Sequence, residues 1–239
     1  MSGHSKWKNI MHKKEKTDSQ RAKIFTKIGK EITIAVKEGG ADPVVNGKLK
    51  DLIAKAKANN VPNDNIERTI KKAAGEAGST NYEVIYYEGY GPSGVAVIVE
   101  TTTDNRNRTG ADIRHYFDKF GGNLGQTGCV SYMFEDKGVI VIEAEGIDED
   151  SLMETALEAG AEDISNQDGA FEITTAPQDF SAVREALENA GYSFVSCEQD
   201  KIPSTYVALS EEDSVKMERL LECMDDNDDV VNVWHNWEN

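Results

Sequence analysis

Long apolar runs are absent: no stretch of about 18 residues is continuously apolar, which excludes a membrane-spanning helix. The chain's start also lacks the apolar core of a secretory signal. Residues 1–16 carry lysine but no arginine, unlike a mitochondrial presequence. Cysteine is scarce. Cys129, Cys197 and Cys223 are odd in number and lie in no metal-ligand spacing, so they read as idle thiols of a reducing cytosol. Arginine is scarce where cations are densest, since only Arg21 and Arg68 are arginine among the 17 Lys/Arg of residues 1–80. Positive charge is scarce everywhere else.

What is present is ordinary globular material, 38% hydrophobic and 29% charged, in a chain of 239 residues with a net charge of −17. That is enough for one large domain or two to three small ones. The charge is unevenly shared. Met1 to Lys30 holds nine Lys/Arg against two Asp/Glu, a local +7. Residues 1–80 carry 17 against 9, net +8, and residues 81–239 carry 9 against 34, net −25. Such asymmetry points to two surfaces with different partners.

Hydrophobic spacing predicts a helix over 18–40, with Asp18 or Ser19 as cap, Ile24, Phe25, Ile28, Ile32, Ala35 and Val36 on one face, and Gly39-Gly40 at its end. Asp42-Pro43 reads as cap and first turn of a second helix with Val45, Leu49, Leu52, Ile53 and Ala56 inward, stopped at Asn59-Asn60. A third begins at Pro62 and Asn63 and carries Ile66, Ile70 and Ala73. From Asn81 the pattern changes to β-branched and aromatic runs around Gly-Pro-Ser-Gly, a hairpin, then a helix through Ile113, Tyr116, Phe117 and Phe120, then "CVSYMFE" as a strand. Residues 138–200 read strand, helix, hairpin turning at Asp168-Gly169, helix, strand, the split-βαβ order. A β-α-β tail remains and is expected to complete the sheet begun at residues 81–134. The expectation is an α+β protein: an N-terminal three-helix bundle plus two ferredoxin-like α/β modules, one inserted in the other. The expected boundaries are 1–79, 80–136 with 204–239, and an insertion at 137–203.

The basic end holds Lys6, Lys8, Lys13, Lys14, Lys16, Arg21, Lys23, Lys27 and Lys30 around Trp7, with His4 and His12 as further donors. Lys23, Lys27 and Lys30 recur at helical spacing, opposite the Ile24/Ile28/Ile32 face. Ammonium groups suit phosphate and an indole can stack on a base, so the segment reads as a nucleic-acid surface. The alternatives are a solvated basic face, and for Trp7 a cap on the bundle. The acidic remainder does not forbid binding, because its field fades beyond roughly 8–10 Å at physiological salt. Lysine contacts phosphate while base edges favour Arg, Asn or Gln, which predicts backbone binding with little sequence preference.

A second stretch, "TTDNRNRTGADIR", places Asn105, Arg106, Asn107 and Arg108 at a helix start, with Thr103 or Asp104 as cap. Arginines there oppose the helix dipole unless they meet an anion, so the four residues are a phosphate or RNA contact, or else pair with nearby carboxylates. "KFGGNLGQTG" lacks the Gly-Lys-Ser/Thr ending of a P-loop and reads as tight turning beside another backbone. "DDNDD" at 225–229 lacks the calcium-loop register. His4, His12, His115 and His235 show no metal pairing, and no nucleophile-base set assembles, so neither an enzyme nor a cofactor or metal is expected.

"GHSKWKNI", "RAKIFTKIGKEI", the "NVP.DNIERTIKKA" helix, "YEGYGP.GVA", "TDNRNRT" and "GG.LG..G.VSYMF" together closely resemble the YebC/PmpR family over essentially the whole chain. The resemblance implies three domains, an N-terminal helical bundle and two α/β domains, one inserted in the other. It also implies a DNA-binding transcriptional regulator. Mitochondrial relatives are translational activators of cytochrome c oxidase, and bacterial members are linked to ribosomes stalled on proline-rich sequence. The family's signatures fall on Lys6, Trp7, Lys8, Arg21 and Lys23, and on Asn105, Arg106, Asn107 and Arg108. Cys129 stands where many relatives have serine. The expected partner is DNA or ribosomal RNA on the ribosome, in the cytoplasm and away from membranes, with the acidic α/β surface left for a protein partner.

Overall fold

The computed structural model describes residues 18–75 and 81–238. Among the described residues three helices come first: α1 (Asp18–Gly39), α2 (Gly47–Ala58) and α3 (Asn63–Ala74). Apolar residues at helical spacing bring Ile28, Ile32, Ala35 and Val36 of α1 against Leu49 and Ala56 of α2 and Ile66 and Ala73 of α3. The link between α1 and α2 departs from expectation. Asp42-Pro43-Val44-Val45 is a turn and not a first helical turn, and Val45 is 77% exposed. The reason is Asn46. Its buried side chain accepts from Leu49 N–H at 3.0 Å, capping α2, and donates to the Ala35 and Gly40 carbonyls, each at 2.8 Å. One amide thus satisfies groups at both helix ends and moves the start of α2 past the valines.

The remainder comprises β1 (Glu83–Tyr90), β2 (Ala96–Thr103), α4 (Arg106–Lys119), β3 (Asn123–Leu124), β4 (Phe134–Glu143), α5 (Glu149–Glu158), β5 (Ala161–Gln167), β6 (Ala170–Thr175), α6 (Phe180–Asn189), β7 (Ser196–Pro203), β8 (Val207–Ala208), α7 (Glu211–Asp226), β9 (Val230–His235) and β10 (Trp237–Glu238). The chain divides into two compact units, residues 1–75 with 136–200, and residues 76–135 with 201–239.

In the first unit a four-stranded sheet runs β5-β6-β4-β7, the neighbour order of a ferredoxin-like βαββαβ element. The β5–β6 hairpin turns on Asp168 and Gly169, both at positive φ, as a two-residue hairpin requires. Ile140, Ile142, Phe171 and Ile173 of the sheet pack with Leu152 and Ala156 of α5 and Phe180, Val183 and Leu187 of α6. The bundle meets this module through charge. Arg184 of α6 is fully buried; its Nε donates to Asp51 of α2 at 2.8 Å, and its other nitrogens reach Glu188 at 2.9 Å and Glu185 at 3.1 Å. Lys50 pairs with Glu185 at 2.6 Å, and Lys55 with Glu198 at 3.3 Å.

In the second unit the sheet runs β3-β1-β2-β9. Val95, Val97, Val99 and Val230 pack with Ile113 and Phe117 of α4 and Met217, Leu220 and Met224 of α7. Two expectations need correction. "CVSYMFE" is mostly loop, with a single 3-10 turn at Ser131–Met133, and the strand begins only at Phe134. The cause is Glu88: its carboxylate accepts the N–H groups of Gly128, Val130 and Ser131 at 2.8–2.9 Å, removing them from any ladder. The tail joins this sheet through β9 alone, while β8 pairs in parallel with β10 as a separate two-stranded element. The glycine-rich loop serves close approach, since a Cβ on Gly89 or Gly122 would collide with the carbonyl oxygen of Asn123 or Tyr90 respectively.

Candidate nucleic-acid interface

His4, Lys6, Trp7, Lys8, His12, Lys13, Lys14 and Lys16 lie outside the described residues. On α1, Arg21 is exposed and Lys23 and Lys30 are partly exposed, but Lys27 is 7% exposed. Lys27 therefore does not stand opposite the apolar face as the spacing suggested. At about 100° per residue it lies only some 60° from Ile24, on the flank of the buried stripe, while Lys23 and Lys30 are turned further away.

Formal charge overstates what the bundle offers. On α2, Lys48 pairs with Glu38 at 2.9 Å, Lys55 with Glu31 at 3.2 Å, and Lys57 approaches Glu188 at 4.0 Å, in addition to the Lys50 pair. The α2 lysines face their own carboxylates. On α3, Arg68, Lys71 and Lys72 are exposed, and Lys71 reaches Glu67 at 3.7 Å with both side chains largely in solvent. Arg68 and Lys72, four apart in "ERTIKK", lie on one side of α3.

At the start of α4 the cap is Asn105, not Thr103 or Asp104; its side-chain oxygen accepts from Arg108 N–H at 3.1 Å. Thr103 instead accepts from Asn105 N–H at 2.9 Å, and its own hydroxyl, 2.8 Å from that of Thr109, donates to it. Beneath them lies buried Asp229, which accepts from Thr109 Oγ1 at 2.9 Å and from Arg108 Nη2 at 2.6 Å. Arg108 also donates to Asp104 at 2.9 Å. Its bonds to Asp229 and Asp104 push its already high pKa further up. Of the two alternatives for this arginine, the structure shows pairing with carboxylates. Arg106 differs: it is 67% exposed and reaches Glu83 only at 3.5 Å, a screened surface pair. Asn107 is exposed.

Among the described residues no three His, Cys, Asp or Glu side chains gather as a metal site, and no helix is long and apolar enough to cross a membrane. Burial pushes the Cys197 thiol far up and the Cys129 thiol up, so neither is an activated nucleophile.

Residues 5–76 match the family model for the TACO1/YebC protein N-terminal domain, and residues 82–237 match that for the TACO1/YebC second and third domain. A "Probable transcriptional regulatory protein" of Acetivibrio thermocellus is 62% identical over 239 residues, 99% of each chain. One of Caldicellulosiruptor bescii, with the same description, is 61% identical over 100% of this chain and 98% of its own. The crystal structure of a conserved hypothetical protein from Aquifex aeolicus has a TM-score of 0.82 at 44% identity, covering 93% of this chain and 92% of its own. Matched along both parts and across nearly its whole length, the chain belongs to the TACO1/YebC family.

Proposed function

We propose that this protein is a nucleic-acid-binding regulator of gene expression, acting on DNA in transcription, with the lysine-rich start and α1 holding the phosphodiester backbone. The observation that carries the reading is the segregation of charge, +7 in Met1–Lys30 against −25 in residues 81–239. Dissolving an already acidic protein does not require a basic cluster at one end, whereas counterion release from a polyanion does. The names of the relatives agree with a regulatory role. The acidic α/β surface is left for a protein partner, and the cytoplasm is the compartment this chemistry suits.

One observation favours a second reading, a ribosome-associated translation factor. Lysine outnumbers arginine 15 to 2 in residues 1–80, which suits phosphate contact on folded RNA better than base readout in a promoter. Gradient sedimentation of lysate with the wild type and a Lys6/Lys8/Lys13/Lys14→Ala variant separates the two. Ribosome co-migration that the variant loses supports translation; free protein protecting discrete promoter segments supports transcription. With about five phosphates engaged, log affinity falls against log salt with a slope near −4 to −5. A flat response refutes both.

A further inference from the structure

The second unit is poor in cations, which makes the state of each one informative. Residues 81–135 and 201–238 hold seven Lys/Arg against seventeen Asp/Glu. Arg108 and Lys216 are held by carboxylates, and Lys119 and Lys201 lie over aromatic rings. Arg106 has its loose, exposed pair with Glu83. Arg114 and Arg219 make no ion pair or hydrogen bond among the described residues, and both are exposed. Their surroundings differ. Arg219 sits on α7 among seven carboxylates, whereas α4 carries Arg106, Arg108, Arg114 and Lys119 against Asp112 and Asp118, a helix of net +2 in an acidic unit.

Arg106, Gly110 and Arg114 follow one another at intervals of four along α4, and Asn107 lies within about 20° of Arg114 around the axis. The two arginines are separated by about 12 Å of helix rise. Between them, at Gly110, stands the hydroxyl of Tyr87 from β1: a Cβ built on Gly110 would lie 3.3 Å from it. That hydroxyl makes no hydrogen bond among the described residues. Glycine is unfavourable in a helix interior, and here its missing side chain leaves room for the Tyr87 ring and hydroxyl beside the helix. The first turn of α4 contains no acidic residue, while α5 and α7 each begin with two or three. Exposed guanidinium forks and an exposed amide, with a half-buried phenol between them, match a repeated phosphate, the class that Arg binds in bidentate fashion.

We propose that Arg106, Asn107 and Arg114, with the Tyr87 hydroxyl between them, form a second contact for the nucleic-acid backbone, one that uses arginine where the chain's start uses lysine. It rests on the reading that the protein binds a polyanion, and extends it to α4 while leaving Arg108 to the structural network around Asp229.

The test uses the full chain, with fluorescence anisotropy on a labelled mixed-sequence RNA and a labelled DNA duplex over a salt series. Arg114→Ala removes an unpartnered exposed side chain, so the fold is retained. It is expected to weaken binding several-fold and shrink the salt slope by about 0.7–0.9, the share of one phosphate. Arg106→Ala/Arg114→Ala is expected to shrink it about twice as much, and Tyr87→Phe to weaken binding about two- to ten-fold, one hydrogen bond's worth. Arg219→Ala changes net charge identically and is expected to change nothing. Steep wild-type binding with an unaltered slope in the double variant overturns this ridge and leaves the basic start standing. An Arg219→Ala loss equal to that of Arg114→Ala overturns it too, by reducing the effect to net charge. A wild type indifferent to salt overturns the ridge together with the reading beneath it.

Discussion

Replacing Arg184 by alanine tests the account of how the bundle is held to the ferredoxin-like module. The guanidinium side chain is 1% exposed and divides its donors among Asp51, Glu188 and Glu185. Removing one partner of a buried ion pair costs about 3–5 kcal/mol, because the remaining charge stays desolvated. The structure places this case at the lower end. Asp51 keeps the Ser181 hydroxyl at 2.7 Å, Glu185 keeps Lys50 at 2.6 Å, and both glutamates are more than two-fifths exposed and rehydrate readily. The expected loss is therefore about 3 kcal/mol. Arg184→Lys keeps the charge but not the planar fork, and should lose about half as much. In a cycle with Asp51→Ala the two losses should fall short of additivity by at least about 1 kcal/mol. Urea unfolding followed by circular dichroism measures these values, and amide exchange on α2 and α6 localises them. High salt should weaken the half-exposed Lys50–Glu185 pair and leave the Arg184 contribution nearly intact. An Arg184→Ala protein within about 1 kcal/mol of wild type, or strictly additive losses, refutes the reasoning.

Two further perturbations follow from single side chains that organise loops. Burial tends to raise the Glu88 carboxyl, but the N–H groups of Val130, Gly128 and Ser131 outweigh it and hold its pKa below the ordinary value. A group depressed in the folded state stabilises above its unfolded pKa, near 4.3, and loses that contribution as pH falls through the lower folded value. Glu88→Gln should therefore flatten the acid limb of the stability curve and speed amide exchange at Gly128, Val130 and Ser131; an unchanged acid limb would count against the clasp. Asn46→Ala strands the carbonyl of Gly40 and the N–H of Leu49 and takes a second donor from the Ala35 carbonyl, and should cost about 2 kcal/mol in urea unfolding. A loss no larger than that of an exposed neighbour such as Val44→Ala would refute its bridging role.

Periodicity alone determined much of this protein. The 3.6-residue spacing of Ile28, Ile32 and Val36 fixes the buried face of α1, and the unbroken apolar run Val95–Val99 marks a strand buried on both faces, because burial of apolar area dominates wherever the pattern is strong. Net charge by segment located the candidate polyanion surface for the same reason: it is additive along the chain and needs no geometry. What residue order left open or misplaced were features decided by polar groups that meet across sequence. Asn46 moved a helix start, Glu88 turned an expected strand into a loop, and Asp229 drew in Arg108 from 121 positions away. Tyr87 reaches Gly110 and Arg184 reaches Asp51 in the same way, from strand to helix and from module to bundle. A hydrogen bond depends on ångström distances and direction, which residue order does not encode locally, so only the folded chain decides which cations are held internally and which stay exposed.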